Sequence, residues 1–277
     1  MKIGICGLGL IGGSLAKAYK RANVEVLGYD IKTSVTDYAV MAKIIDKPLT
    51  NETVCECDYI FVALYPQAVV NYIRNIAPFV RKGTVVVDLC GTKMNVCPEC
   101  FDIAAEYGFD FVGGHPMAGT QFAGLKNAKE DLYDGATMIL VPKPDEDLHL
   151  LAKLKETLVV AGFSSVTLST AQIHDVNIAY TSQLAHVVSN AYVKSPRSKV
   201  HKGFSAGSYK DLTRVAWLNE KMWTELFMAN SENLITEIDI LTENLKKYSD
   251  ALKAGDEERV EELLREGRLI KEAVDSE

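Results

Sequence analysis

Histidine is the side chain whose unperturbed pKa, about 6.5, lets it take and release a proton near neutrality. The stretch "GGHPMAGT" at 113–120 sets such a residue, His115, in a constrained turn, and it is the only histidine between residues 1 and 148. Pro116 restricts the backbone at His115 to extended conformations. The neighbouring glycines permit close approach of a bound molecule. Because the strand-like run "FDFV" precedes it, His115 is expected at a strand's carboxyl end, where open α/β sheets bind their ligands. A group placed there can take the proton of a hydroxyl while the carbon that bears it is oxidised. Such a step needs an acceptor for the hydride.

The acceptor's site is written at the start of the chain. "GLGLIGGS" at 7–14 supplies Gly7, Gly9 and Gly12 in G-x-G-x-x-G spacing, directly after the strand "KIGIC" and at the opening of an apolar helix. In that context Gly7 permits the tight turn, Gly9 lets backbone approach a pyrophosphate, and Gly12 lets helix and strand pack closely. Leu10 and Ile11 then present the helix N-terminus to the phosphates. Asp30 ends the next strand, "LGYD", 21 positions after Gly9. A carboxylate there accepts hydrogen bonds from ribose hydroxyls and repels a 2'-phosphate, so the expected cofactor is NAD rather than NADP. "VALYPQAV" at 62–69, with Leu64 and Tyr65, and "DLCGTK" at 88–93 end two further strands and should line the same cleft. Lys93 reads equally well as a site cation and as a surface cation opening a helix.

The elements that carry these residues divide the chain in two. Over residues 1–168 the runs "KIGICG", "EVLGYD", "YIFVAL", "TVVVDL", "DFVGG", "TMILVP" and "FSSVTLS" read as strands separated by segments of helical length. Near-continuous apolar strands divided by helices mark a parallel sheet covered on both faces. The expected class is therefore α/β, a Rossmann-type dinucleotide-binding domain. Residues 169–277 show only helical periodicity, with a break expected near Asn219 or Asn230 and a loop at "GFSAGSY". This all-helical domain has long apolar faces and little else to pack on, so a homodimer formed through it is expected.

Composition narrows the function further. The 277 residues are 48% hydrophobic and 24% charged with a net charge of -7, which argues against nucleic acid as a partner. No export signal precedes the first strand, and no apolar run approaches the roughly 18 to 20 residues that span a bilayer. The six cysteines need no disulfide role in a domain this large, and a reducing cytoplasm is expected. The pairs "CEC" at 55–57 and "CPEC" at 97–100 could supply four thiolates to zinc. They flank opposite ends of neighbouring strands, roughly 20 Å apart at about 3.3 Å per residue, so no metal is expected.

Several separated motifs together resemble prephenate dehydrogenase, the family that includes the arogenate dehydrogenases of tyrosine biosynthesis. They are "GLGLIGGSLAKA", "GGHPMAGT", "HDVNIAYTSQLAHVVSNA" and "GSYKDLTRVAWLNEKMWTELFMAN", and the resemblance covers essentially the whole chain. It implies an oxidative decarboxylation of a cyclohexadienol with NAD. His115 matches the histidine that hydrogen-bonds the ring hydroxyl, and Arg214 the arginine that grips a substrate carboxylate. Lys210 matches a neighbour in that anion pocket, and His186 a histidine at the side-chain end of the substrate. Prephenate is a dianion, and an arginine fork suits a carboxylate. Lys210 and Arg214 are spaced i,i+4, on one face if the segment is helical. His174 and Asp175 read as a structural helix cap and its neighbour.

The chain also departs from the family. The family's "SHLPH" is here "SQLAH", with Gln183 for the first histidine and Ala185 for the proline. Glutamine still hydrogen-bonds but carries no proton, and loss of the proline relaxes the helix bend expected there. Gly91 falls where the family's serine bonds the catalytic histidine, and Thr92 is the nearest substitute. These changes bear on the choice between prephenate, the main expectation, and arogenate. Two other functions stay open: a different hydroxy-acid dehydrogenase, and a dimer that binds NAD without turnover. Neither a fused mutase domain nor a fused regulatory domain is expected.

Overall fold

The computed structural model describes residues 1–120 and 122–276. It divides into two compact units, Met1–Asn230 and Ser231–Glu277. In the first, strands and helices alternate: β1 (Lys2–Cys6), α1 (Leu10–Arg21), β2 (Glu25–Tyr29), α2 (Thr33–Met41), β3 (Lys47–Pro48), β4 (Tyr59–Val62), α3 (Pro66–Ile76), β5 (Val85–Asp88), α4 (Cys97–Tyr107) and β6 (Asp110–Pro116). Then come β7 (Thr137–Val141), α5 (Leu148–Val160) and β8 (Ser165–Leu168). The sheet runs in the order β3-β2-β1-β4-β5-β6-β7-β8. Its strands are parallel from β3 to β6, β7 pairs antiparallel to β6, and β8 runs parallel to β7.

Strand alternation builds two cores, one on each face of the sheet. Phe61, Val85 and Val87 point to the face covered by Leu15 and Tyr19 of α1 and Leu154 and Leu158 of α5. Ile60, Val62 and Val86 point to the other, against Val69, Val70 and Ile73 of α3 and Cys100 and Ile103 of α4. In α3 the buried residues are Pro66, Val69, Val70, Ile73 and Ile76, the i, i+3, i+4 stripe of a helix with one apolar face, and Pro66 sits in its first turn. All seven strands read from the sequence are present. The added β3 is two residues long, too short for any periodicity to announce it. Cys57, at the amino end of β4, and Cys97, at the start of α4, are buried in the second core. Among the described residues no His, Cys, Asp and Glu group could hold a metal ion. No helix is long and apolar enough to cross a membrane.

After β8 the first unit continues with α6 (Ala171–Ile178), a π-helical turn at Ala179–Leu184, α7 (Ala185–Tyr192), α8 (Gly207–Thr213) and α9 (Glu220–Ala229). The π turn occupies the place where the relaxed bend was expected. The chain keeps an irregularity there without proline, and π turns mark functional positions in helices. Both asparagines interrupt the long helical run. The Asn219 side chain caps α9 by accepting the Met222 N–H at 3.1 Å, and Asn230 ends it.

The second unit is a pair of helices, α10 (Ser231–Ala254) and α11 (Glu257–Asp275), joined at Gly255 and Asp256. Asp256 caps α11, and the Tyr248 hydroxyl donates to the Leu263 carbonyl at 3.1 Å. Apolar side chains including Ile235, Leu245, Leu252, Ile270 and Val274 are each more than half exposed. Residues 231–277 hold 14 acidic and 7 basic side chains, so they carry the whole net charge of -7 and the first unit is neutral.

Candidate active site

The glycine-rich turn between β1 and α1 has no room for side chains at two of its positions. Gly7 has φ +86°, and a Cβ there would stand 2.4 Å from the Ala63 carbonyl oxygen and 2.9 Å from Leu64. A Cβ on Gly12 would stand 2.0 Å from the Gly7 carbonyl oxygen. Gly9, by contrast, faces open space, with nothing within 4 Å of its Cβ position. That is a cradle shaped for something other than protein. Helix α1 starts at Leu10 with no side-chain cap, leaving the N–H groups of Leu10 and Ile11 for an anion. Asp30 stands beside the cradle, where one carboxylate oxygen accepts the Leu8 N–H at 3.1 Å and the other the Lys32 N–H at 3.0 Å. Tyr65, at the start of α3, is exposed. These residues fit a dinucleotide.

His115 lies at the carboxyl end of β6, opposite Ile139 of β7. The glycines before it serve the protein and not, as expected, a bound molecule. A Cβ on Gly113 would stand 2.5 Å from the Cys97 sulfur, and one on Gly114 would stand 2.6 Å from the Asp88 carbonyl oxygen. They let β6 close against β5 and α4. The His115 ring, partly buried, meets His174 with Nδ1 to Nε2 at 2.9 Å. His174 Nδ1 in turn lies 2.6 Å from an Asp175 oxygen. Asp175 accepts the backbone N–H groups of Lys93 at 2.8 Å and Met94 at 2.9 Å. Thus His174 and Asp175, read from the sequence as a cap, sit behind His115; the cap of α6 is Thr170. Burial, then the neighbouring His174 and Lys93, hold the His115 pKa well below the ordinary 6.5, so the ring is neutral at pH 7.

Lys93 is near the site, close enough for its charge to lower the His115 pKa, but it is not the surface cation its position also suggested. It is fully buried and ion-paired with buried Asp88, with the Cys90 sulfur at 3.6 Å. Asp88 also accepts the Gly114 N–H at 3.2 Å, tying the pair to the histidine strand. Thr92 does not take the place of the family serine. Its hydroxyl is buried with no hydrogen-bond partner among the described residues. Gly91 does face the ring: a Cβ there would lie 3.9 Å from His115 Cε1 and 3.3 Å from a Leu226 methyl.

The cationic residues lie on the helical segments. Lys210 is on α8, and Arg214 opens the 3₁₀ turn Arg214–Ala216, so the spacing of four spans a change of helix type. Both are exposed, and neither makes an ion pair among the described residues. The turn packs on α7, which carries His186. His186 donates from Nδ1 to the Ser182 carbonyl at 2.9 Å and stacks on Trp223 at 3.8 Å between ring centroids. Burial first, and also the Arg214 charge, lower the His186 pKa, while the Ser182 bond opposes them. Gln183 is buried and its amide is engaged at both ends: it donates to the Leu226 carbonyl at 3.2 Å and accepts from Asn230 at 2.9 Å. It therefore holds α9 against the π turn instead of standing open to a substrate.

Helix α9 joins the two sides, a role the sequence did not announce. Trp223 lies on His186, and one turn later Leu226 lies against Gly91 beside His115. Asn230, at its end, donates to the Asp175 carbonyl at 2.8 Å.

Comparison with known proteins agrees with this geometry. The family profile described as "Prephenate dehydrogenase, nucleotide-binding domain" matches residues 15–166, and "Prephenate dehydrogenase, dimerization domain" matches 170–266. The prephenate dehydrogenase of Lactococcus lactis is 30% identical over 99% of this chain and 77% of its own length. The cyclohexadienyl dehydrogenase of Zymomonas mobilis is 28% identical over 98% of this chain and 95% of its own. The crystal structure of prephenate dehydrogenase from Aquifex aeolicus in complex with hydroxyphenyl propionate and NAD+ superposes with a TM-score of 0.83 at 27% identity, covering 99% of this chain and 98% of that one.

Proposed function

The chain belongs to the prephenate dehydrogenase family, and from that premise we propose that it oxidises and decarboxylates prephenate with NAD. Gly7, Gly9, Leu10, Ile11, Gly12, Asp30, Leu64 and Tyr65 would hold NAD, which would supply a hydride acceptor for the ring carbon that bears the hydroxyl. His115 takes the hydroxyl proton. The ring carboxylate leaves as carbon dioxide, its bonding pair completing the aromatic ring, and His115 returns the proton to the ring oxygen, so 4-hydroxyphenylpyruvate is the product. Arg214 and Lys210 bind the dianion, with His186 and Trp223 at the side-chain end. The observation that carries this reading is a neutral, anchored His115 in the same unit as exposed cations that make no ion pair among the described residues. The division of labour falls at 168/169, with residues 169–277 forming the substrate side and the homodimer contact through the exposed apolar residues of α10 and α11. Six free cysteines, five of them buried, suit a reducing cytoplasm.

A second reading, use of arogenate, has a specific support. Ser182 fixes the His186 proton on Nδ1, leaving Nε2 as an acceptor that suits an ammonium group. The test for both is the absorbance of reduced cofactor on mixing protein with NAD or NADP and either substrate. Turnover with prephenate and NAD is expected, falling about 10²- to 10⁴-fold in His115→Asn while NAD still binds. Because the working form of His115 is neutral, kcat should hold as pH falls past 6.5 and decline only well below that, as His115 protonates. Tight NAD binding without turnover of either substrate would overturn the reading.

A further inference from the structure

His174 is the only polar side chain that contacts His115 among the described residues. Its role follows from which groups can donate. The Asp175 carboxylate accepts two backbone N–H groups, which cannot reverse direction, and a carboxylate itself only accepts. The ring nitrogen of His174 that meets it, Nδ1, must therefore carry a proton. A His174 ring that carries only that proton has its lone pair on Nε2, and the nitrogen facing that lone pair, His115 Nδ1, then donates. What remains on His115 is an unprotonated Nε2. The network assigns the tautomer that a proton acceptor needs.

We propose that His174 and Asp175 are a positioning pair that locks His115 in the Nδ1–H tautomer and aims its Nε2 lone pair at the substrate hydroxyl. The proton released by the substrate moves onto Nε2, and the resulting imidazolium keeps its Nδ1–H bond to His174. No proton leaves Nδ1, and Asp175 stays a carboxylate. The arrangement is built from three separate parts of the chain: β6 supplies His115, α6 supplies the pair, and the Lys93 and Met94 amides before α4 fix the carboxylate. The titratable and charged groups around the ring are His174 and Asp175 from α6 and the Lys93–Asp88 pair from the β5–α4 segment. On the α9 side Leu226 faces Gly91, which presents no side chain. Among the described residues no other side chain hydrogen-bonds the ring in place of His174.

The proposal rests on His115 being the proton acceptor, and two measurements separate its failure from a failure of that reading. The first is the nitrogen spectrum of ¹⁵N-histidine-labelled protein, with His115→Asn used to assign the signal. His115 should show the Nδ1–H tautomer in the wild-type chain and lose it in His174→Leu, whether or not any substrate turns over. The second is steady-state kinetics. His174→Leu should lower kcat about 10- to 100-fold, the usual effect of losing a partner that orients an active group, with KM and NAD affinity within about twofold of wild type. His174→Gln can accept from His115 with its carbonyl and donate to Asp175 with its amide. It should recover most of the lost kcat. An Nε2–H tautomer in the wild-type chain would overturn the proposal. So would an unchanged kcat in His174→Leu, or a Gln variant no better than the Leu variant. If His174→Leu does not fold, the wild-type tautomer and the kcat of His174→Gln decide.

Discussion

The two sides of the site are built on opposite plans. On the base side the titratable groups are wired to one another or to backbone: His115 to His174, His174 to Asp175, Asp175 to two amides, and Lys93 to Asp88. On the anion side Arg214 and Lys210 stand exposed, without ion pairs among the described residues. The difference follows from what each must do. A proton acceptor works only in one tautomer and one orientation, so it is fixed before the substrate arrives. A carboxylate-binding cation needs its charge uncompensated until the substrate supplies the counter-ion. The acidic excess lies wholly in residues 231–277, and the first unit, which carries both cations, is neutral.

If this contrast is right, damage to the wired side should register first in stability. Lys93→Met removes the cation but leaves Asp88 buried with a charge that two N–H groups only partly satisfy. Breaking a buried pair from one side costs about 3 to 5 kcal/mol. At the entropy typical of a chain this size, that is a fall of about 10 °C in melting temperature. Calorimetry on the variant measures it directly. An unchanged melting temperature would mean that the burial of Lys93 contributes nothing to the fold, and the contrast would lose one half.

Arg214→Ala tests the other half with a smaller effect of a different kind. The side chain is exposed and unpaired, so stability should move by less than about 0.5 kcal/mol. Losing a charge-assisted hydrogen bond of about 1.5 to 3 kcal/mol should raise the substrate KM about 10- to 100-fold. Arg214→Lys should regain only part of it, because a point charge cannot reproduce the two-pronged grip. A melting temperature that drops with no change in KM would make Arg214 a structural residue.

The contrast also explains what could be read from the residues alone. The dinucleotide cradle was legible because its logic is local: Gly7, Gly9 and Gly12 fall within six residues, and Asp30 follows at the next strand end. The strands were legible because a covered parallel sheet requires continuous apolar runs. His115 was found by type and place, yet its partner lies 59 positions away in another element, and no local pattern couples the two. Adjacent His174 and Asp175 at a helix start looked like a cap for the same reason. Gly113 and Gly114 were noticed, but their purpose depends on Cys97 and Asp88, which approach only when β6 docks on β5 and α4. Gln183 and Thr92 were judged from the family's pattern, and packing against α9 or burial decided them differently.

The smallest predicted effect is the most informative about whether the base side is complete. Gly91→Ser places a hydroxyl near His115, since the Cβ position lies 3.9 Å from Cε1, and Leu226 must give by only a few tenths of an ångström. In the intact chain Nδ1 is already taken by His174, so the new hydroxyl can reach only Nε2, where it competes with the substrate. One hydrogen bond is worth about 1 kcal/mol, so kcat should fall by less than about tenfold. Placed in the His174→Leu background, the same serine has a loose ring to hold and should raise kcat. The sign therefore reverses between the two backgrounds, and a double-mutant cycle reads that coupling apart from any general loss of stability. Gly91→Ser raising kcat in the intact chain would show the opposite of completeness: a ring that His174 and Asp175 hold too loosely, with a place still open for a second support.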